Sequence, residues 1–237
     1  MADTAASDSP APDGYTLWAV WRRDPLRPVT EPDDRELADV VAYIEEGGVA
    51  VRGFYDVSGL RADADLMVWL HGSAGGGDGR GTGAEDLQRA LRRLRRTELL
   101  KHLLPVWNAL GVHRDAEFNR AHVPGFLRGV PAKRWLCLYP FVRSHEWYLL
   151  PEDERRRMLA EHGRKGAAFT GVTANTVASF ALGDYEWLLP LEADDVTELV
   201  DLMRDLRYTD ARRHVREEVP FFTGRRLELV EIPEVLQ

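Results

Sequence analysis

Four side chains in this chain have types and settings suited to joint redox chemistry. His162 stands in Ala160-Glu161-His162-Gly163-Arg164-Lys165-Gly166, near the end of a predicted amphipathic helix. Tyr139 stands on a predicted strand, Trp135 to Arg143. An imidazole on a helix and a phenol on a neighbouring strand suit a haem-type site, the imidazole binding iron from one side and the phenol facing the porphyrin. Met158, Leu159, Ala168 and Phe169 offer His162 apolar neighbours. An axial histidine also needs its second ring nitrogen held by an acceptor, for which Glu186 or another acid is a candidate. A plainer role fits His162 as well: a helix C-terminal histidine that complements the macrodipole ahead of a glycine cap. On the residues alone, the plainer role is the commoner one.

Strand alternation puts Tyr139, Phe141 and Arg143 on one face, and residues four apart on a strand are separated by about 13 Å, comparable to a porphyrin's width. Arg143 can then pair with a propionate, because its planar fork matches a carboxylate. Pro140 removes a ladder donor, so an edge or a bulge is expected beside it. A core tyrosine with its hydroxyl tied to backbone is the commoner alternative for Tyr139. The fourth residue is His122, in the loop Asn119-Arg120-Ala121-His122-Val123-Pro124-Gly125-Phe126. An imidazole of near-neutral pKa can act as a general base toward peroxide, although a lone loop histidine is more often solvated. His71, His102, His113, His145 and His214 carry no supporting pattern and read as surface or hydrogen-bonded residues.

Composition narrows the class. The chain has 237 residues, enough for one large domain or two small fused ones. A net charge of -8 argues against non-specific nucleic-acid binding, which needs a basic surface. The basic run Arg89 to Arg96 is flanked by Glu85, Asp86 and Glu98 and reads as a solvated helix face. The one cysteine, Cys137, forms no disulfide within the chain and sits among Trp135, Leu136, Leu138 and Tyr139 as a small buried hydrophobe, which fits a reducing cytoplasm. No run of about 18 apolar residues occurs, so no membrane span is expected. Residues 1–14, rich in Ala, Asp, Ser and Pro, read as a disordered tail. The glycine run from Gly75 to Gly83 lacks the Lys-Ser/Thr of a phosphate loop and reads as a mobile linker.

The elements that position these side chains fall into a repeated order. Strand Tyr15 to Arg22 is followed by a helix, Asp33 to Glu46, by strands Val49 to Val57 and Asp65 to His71, by a helix, Ala84 to Arg96, and by extended chain from Leu103 to Val112. Strand Trp135 to Arg143 is followed by a helix, Pro151 to Lys165, by strands Thr173 to Ala181 and Glu186 to Leu191, by a helix, Asp194 to Leu206, and by a strand, Leu227 to Ile232. The pattern βαββαβ thus occurs twice, offset by roughly 120 residues. The fold expected is α+β: two ferredoxin-like repeats, 15–130 and 131–237, with antiparallel sheets paired in the manner of a dimeric α+β barrel and helices outside. A cavity between sheet and helices suits a large planar ligand.

From Tyr15 to Glu231 the chain resembles the coproheme decarboxylase family, in its actinobacterial branch, within the chlorite dismutase-like superfamily. The resemblance is most specific over Leu138-Tyr139-Pro140-Phe141-Val142-Arg143-Ser144-His145-Glu146-Trp147-Tyr148-Leu149-Leu150, over Glu161-His162-Gly163-Arg164 and over Gly183-Asp184-Tyr185-Glu186-Trp187. It implies that His162 is the proximal iron ligand, Tyr139 the redox tyrosine, His122 the distal histidine, Arg143 a partner of substrate propionates and Trp187 a pocket aromatic. It implies peroxide-dependent conversion of two propionates of iron-coproporphyrin III (coproheme) to vinyls, giving haem b. It also implies a cytoplasmic homopentamer that receives coproheme from a coproporphyrin ferrochelatase. Ala174 aligns where chlorite dismutases carry a distal arginine and other decarboxylases a glutamine, which disfavours chlorite decomposition and shifts the distal polar role to His122. The stretch from Gly72 to Gly83 is longer and richer in glycine than the family pattern. Another haem peroxidase or chlorite-decomposing enzyme, and a non-catalytic haem carrier, are the competing readings.

Overall fold

The computed structural model describes residues 14–29, 33–72, 82–114 and 123–237. The tail 1–13, most of the glycine run and His122 lie outside the described residues. In chain order the elements are β1 (Tyr15–Arg22), α1 (Arg35–Glu46), β2 (Val49–Asp56), β3 (Leu66–Gly72), α2 (Ala84–Leu94), β4 (Leu104–Val112), β5 (Trp135–Arg143), α3 (Glu152–Ala167), β6 (Thr173–Ala174), β7 (Val177–Ala178), β8 (Trp187–Ala193), α4 (Val196–Leu206), β9 (Val215–Glu217), β10 (Phe222–Leu227) and α5 (Ile232–Val235).

All the strand pairings are antiparallel, and they close on themselves. Around the ring run β4, β1, β3, β2, β10, β5, β8 and β7, and β7 returns to β4 through Val112 and Ala178. Closure removes the open edges that an isolated repeat would present. It also explains why β1 is apolar on both faces. Trp18 and Val20 point inward with Tyr55, Met67, Trp69, Leu136, Leu138 and Phe222. Leu17, Ala19 and Trp21 point outward beneath α1, α2 and α5, against Leu37, Leu87 and Ile232.

A third apolar layer lies outside β5 and β8 and carries the residues of interest. Cys137, Tyr139, Leu191 and Ala193 face Leu199 and Leu202 of α4. The spacing Val196, Leu199, Leu202, Met203, Leu206 gives α4 its apolar stripe. Asp195 caps the helix by accepting the Thr197 N–H at 2.9 Å. Burial of each of the two α4 leucines contributes about 1.5–3 kcal/mol. Helix α3 opens on Glu152, Asp153 and Glu154 and closes on Arg164 and Lys165, charges that complement its dipole at both ends. Cys137 is buried, and burial pushes its thiol pKa up to about 11.

Pro140 has a clear place in this layer. On one side β5 pairs with β10 through residues 135–138 and with β9 through 142–143, and Pro140 falls in the gap between the two ladders. The missing N–H therefore costs no hydrogen bond there.

Two expected strands differ. Thr173 to Ala181 is not continuous: Asn175 sits between β6 and β7, its backbone N–H on Pro190 O and its side chain on the Phe126 N–H and Glu192. The last strand is Phe222–Leu227 and not Leu227 to Ile232, which turns instead through a 3-10 segment, Leu229–Glu231, into α5. The Glu231 carboxylate accepts the Glu228 N–H at 2.8 Å and closes that turn, and Pro233 enters α5 where no donor is needed.

Inside the barrel, Arg52 of β2 and Glu192 of β8 form a buried forked pair, with the shortest contact at 2.6 Å. Arg52 also donates to Val130 O and lies 4.8 Å over the Trp69 ring, and Asn175 donates to the same carboxylate.

Candidate functional site

The outer face of β5, the end of α3, the end of α4 and the chain from 207 to 218 enclose a small cavity of about 60 Å³. Its walls bring together Tyr139, Arg143 and His162 with Phe141, Leu189 and Met203, and with Arg207, Arg212 and Glu218. Three of the residues singled out by sequence thus share one cavity. They come from strand β5 and helix α3.

Tyr139 is 3% exposed. Its ring stacks on Phe221 at 4.5 Å and 17°, and its hydroxyl donates to Met203 Sδ at 3.4 Å. The plainer expectation, a hydroxyl tied to backbone, does not describe this contact. Burial pushes the phenol pKa far above its ordinary value. A sulfur is a weak acceptor, so the phenol stays neutral.

His162 is half-buried on α3, its Nδ1 3.5 Å from Thr209 Oγ1. Thr209 itself donates to Leu206 O at 2.9 Å, so its oxygen is left to accept. A hydrogen on Nδ1 would suit that oxygen and would leave the Nε2 lone pair for a metal. Burial, then the positive charge of Arg143, lower the imidazole pKa and favour its neutral form. The acceptor is a hydroxyl and not the Glu186 carboxylate considered from sequence. Glu186 is engaged elsewhere: it accepts the Arg143 backbone N–H at 2.8 Å and the Tyr148 hydroxyl at 3.0 Å.

Arg143 lays its guanidinium 4.1 Å from the Trp147 ring centre and 5.0 Å from that of Phe141. These contacts hold its charge at the cavity wall. Trp187 does not line the cavity. It stacks on Phe141 at 6.3 Å and 13°, and its indole N–H donates to Tyr148 Oη at 3.2 Å. Ala174 pairs with Leu191 and packs in the same apolar layer as Tyr139, also away from the cavity wall. His122 lies outside the described residues.

Sequence reasoning missed Thr209, Met203 and the group Arg207, Arg212 and Glu218. Glu218 bridges the two guanidinium groups, to Arg207 at 2.9 Å and to Arg212 at 2.7 Å. The one available signal was a basic cluster from the last turn of α4 onward, Arg204, Arg207, Arg212 and Arg213, in an otherwise acidic chain.

The donor set fits an iron porphyrin that carries carboxylates: one neutral imidazole, guanidinium groups and flat apolar walls. The room does not, because about 60 Å³ falls well short of the roughly 300–1,000 Å³ of ordinary ligand pockets, so a tetrapyrrole would need the walls to part.

Comparison with known proteins places the chain in a family and a fold. The family described as Chlorite dismutase matches residues 33–227. A coproheme decarboxylase of Mycolicibacterium smegmatis is 53% identical over 195 residues, covering 82% of this chain and 80% of its own. Among solved structures, chlorite dismutase from Candidatus Nitrospira defluvii in complex with imidazole superposes with a TM-score of 0.77 at 22% identity, over 94% of this chain and 95% of that one. A variant of that enzyme in complex with cyanide gives 0.76 at 21%, over 94% and 95%. At such identities the structures show a common fold.

Proposed function

The chain belongs to the chlorite dismutase family, and from that footing we propose that it is a coproheme decarboxylase, converting two propionates of iron-coproporphyrin III to vinyls with hydrogen peroxide as oxidant. The observation that carries the reading is the convergence of Tyr139, His162 and Arg143 on one cavity in a chain 53% identical to an enzyme of that name. Per propionate the balance is R–CH2CH2COOH + H2O2 → R–CH=CH2 + CO2 + 2 H2O.

The iron porphyrin is both substrate and redox centre, hydrogen peroxide supplies the oxidising equivalents, and the protein supplies placement. His162 offers Nε2 to the iron. Arg143 takes a propionate with its fork and holds the reacting arm toward Tyr139. Tyr139 would give up an electron to the peroxide-oxidised porphyrin together with its phenolic proton, which would end in the water formed from peroxide, because burial raises the phenol pKa and disfavours ionising first. The neutral radical so formed takes a hydrogen atom from the propionate β-carbon, and carbon dioxide leaves as the second electron returns to the porphyrin. Met203, the neighbour of the Tyr139 hydroxyl, has to yield that place to substrate. Trp187 backs Phe141, and Ala174 leaves the polar work on the peroxide side to His122, whose part rests on its sequence motif. The site belongs to the second repeat, 131–237. Assembly as a homopentamer, a cytoplasmic setting and delivery of coproheme by a ferrochelatase belong to the same proposal.

Replacing Tyr139 with Phe tests the reading. Coproheme affinity should stay within about threefold of the wild type, since no ion pair or ligand is lost, while turnover falls by at least 10³-fold for want of an oxidisable phenol. A Tyr139→Phe enzyme of full activity would contradict the assignment.

A further inference from the structure

Glu218 lies against the cavity that the substrate has to enter, and among the described residues it is the one carboxylate lining that cavity. Its side chain is 14% exposed, and its two oxygens are divided between two cations, Oε1 on Arg207 and Oε2 on Arg212. Arg207 follows directly on α4, whereas Glu218 lies between β9 and β10. The bridge therefore ties the end of α4 to the strand layer beside Tyr139. A cavity of about 60 Å³ opens to a porphyrin only if such ties loosen.

We propose that Glu218 is the specificity-determining residue of this site: its carboxylate occupies Arg207 and Arg212 in the manner of a propionate, and a porphyrin gains entry by exchanging its own carboxylate for that of Glu218. The proposal rests on the reading of the cavity as the coproheme site. The exchange is like for like. Each guanidinium keeps a carboxylate partner, and the side chain of Glu218, released, turns to water. A porphyrin with an uncharged edge offers the arginines nothing in return, and leaves two cations either tied to Glu218 across its path or unpaired at a partly buried wall. Selection at this edge thus acts on charge as well as on shape. It favours a substrate with four propionates over porphyrins poorer in carboxylates.

The test is a binding titration followed by tryptophan fluorescence quenching, with two iron-free probes: coproporphyrin III and its tetramethyl ester. Iron-free probes remove ligation by His162 and all turnover from the readout. The wild type should bind the acid well and the ester poorly. Glu218→Gln keeps the shape but releases both arginines, and should bind the acid about tenfold more tightly at low salt, with the gain shrinking as salt rises. Glu218→Asp keeps the charge on a shorter arm and should fall between. Arg212→Gln should bind the acid more weakly and leave the ester unchanged. Thermal melts of each variant establish that it is folded.

Unchanged or weaker binding of the acid by folded Glu218→Gln would show that Glu218 only braces the arginines, and would overturn the proposal. Failure of the wild type itself to bind coproporphyrin III would bring down the reading of the cavity, and the proposal with it. The first result leaves the decarboxylase reading standing and the second does not.

Discussion

At the scale of single residues, the proposed part of His162 turns on a hydroxyl. Thr209 donates to Leu206 O and sets its oxygen 3.5 Å from Nδ1, an arrangement in which Nε2 would be the nitrogen offered to a metal. A neutral acceptor leaves the imidazole a weaker electron donor than a carboxylate would. Replacing His162 with Ala should therefore remove the axial ligand without removing the arginines. Ferric coproheme should still bind, within about tenfold of wild-type affinity, but with a shifted Soret band and no iron–histidine stretch in the resonance Raman spectrum of the ferrous form; added imidazole should restore both. An unchanged spectrum would show that His162 is not the ligand. Much of this site was legible in the sequence. Period-two alternation put Tyr139, Phe141 and Arg143 on one face, and the helix around His162 was plain from its acidic start and basic end. Thr209, Arg207, Arg212 and Glu218 were not legible. They lie in the irregular chain between α4 and β10, where no periodicity says which way a side chain points.

At the scale of elements, the site depends on strands that keep their register around Pro140 and around Asn175. The pair Arg52–Glu192 links β2 to β8 across 140 residues of sequence, and Asn175 fastens the β6–β7 corner to the same carboxylate. Neither Arg52 nor Glu192 touches the cavity, so their removal tests stability apart from chemistry. Glu192→Ala leaves a guanidinium buried without its partner and should cost about 3–5 kcal/mol, read from denaturant unfolding. A loss below about 1 kcal/mol would mean that Val130 O and the Trp69 face suffice for Arg52. Strands β1 and β5 were placed from sequence with their observed ends, because their apolar runs stop at charge. The final strand was misplaced because Leu227 to Ile232 is rich in Leu, Val and Ile as a strand is, whereas Glu228 and Glu231, three residues apart, close a turn. Its true counterpart, Phe222–Leu227, carries a glycine and two arginines and has a weak strand signature.

At the scale of the whole molecule, the two βαββαβ patterns predicted paired sheets with helices outside, and the barrel has that form. The way it closes could not be read from local pattern. Strand β10 pairs with β2 and β5 at once, so the last strand in the chain joins the two halves of the ring. That choice is made by which apolar faces remain to be buried, and not by any propensity of the strand itself. The consequence for function is that the outer face of β5 is held rigidly by neighbours on both sides while α3, α4 and the chain after α4 cover it. In the proposed reaction, a rigid sheet carrying Tyr139, under helices that would have to part for a porphyrin, would suit repeated turnover on one substrate. The most direct measurement is mass spectrometry of the porphyrin during titration of the coproheme-loaded protein with hydrogen peroxide. Two successive losses, each of one carbon dioxide and two hydrogens, with a one-vinyl species between them, are the predicted result. Coproheme that stays bound and keeps all four propionates while peroxide is consumed would contradict it.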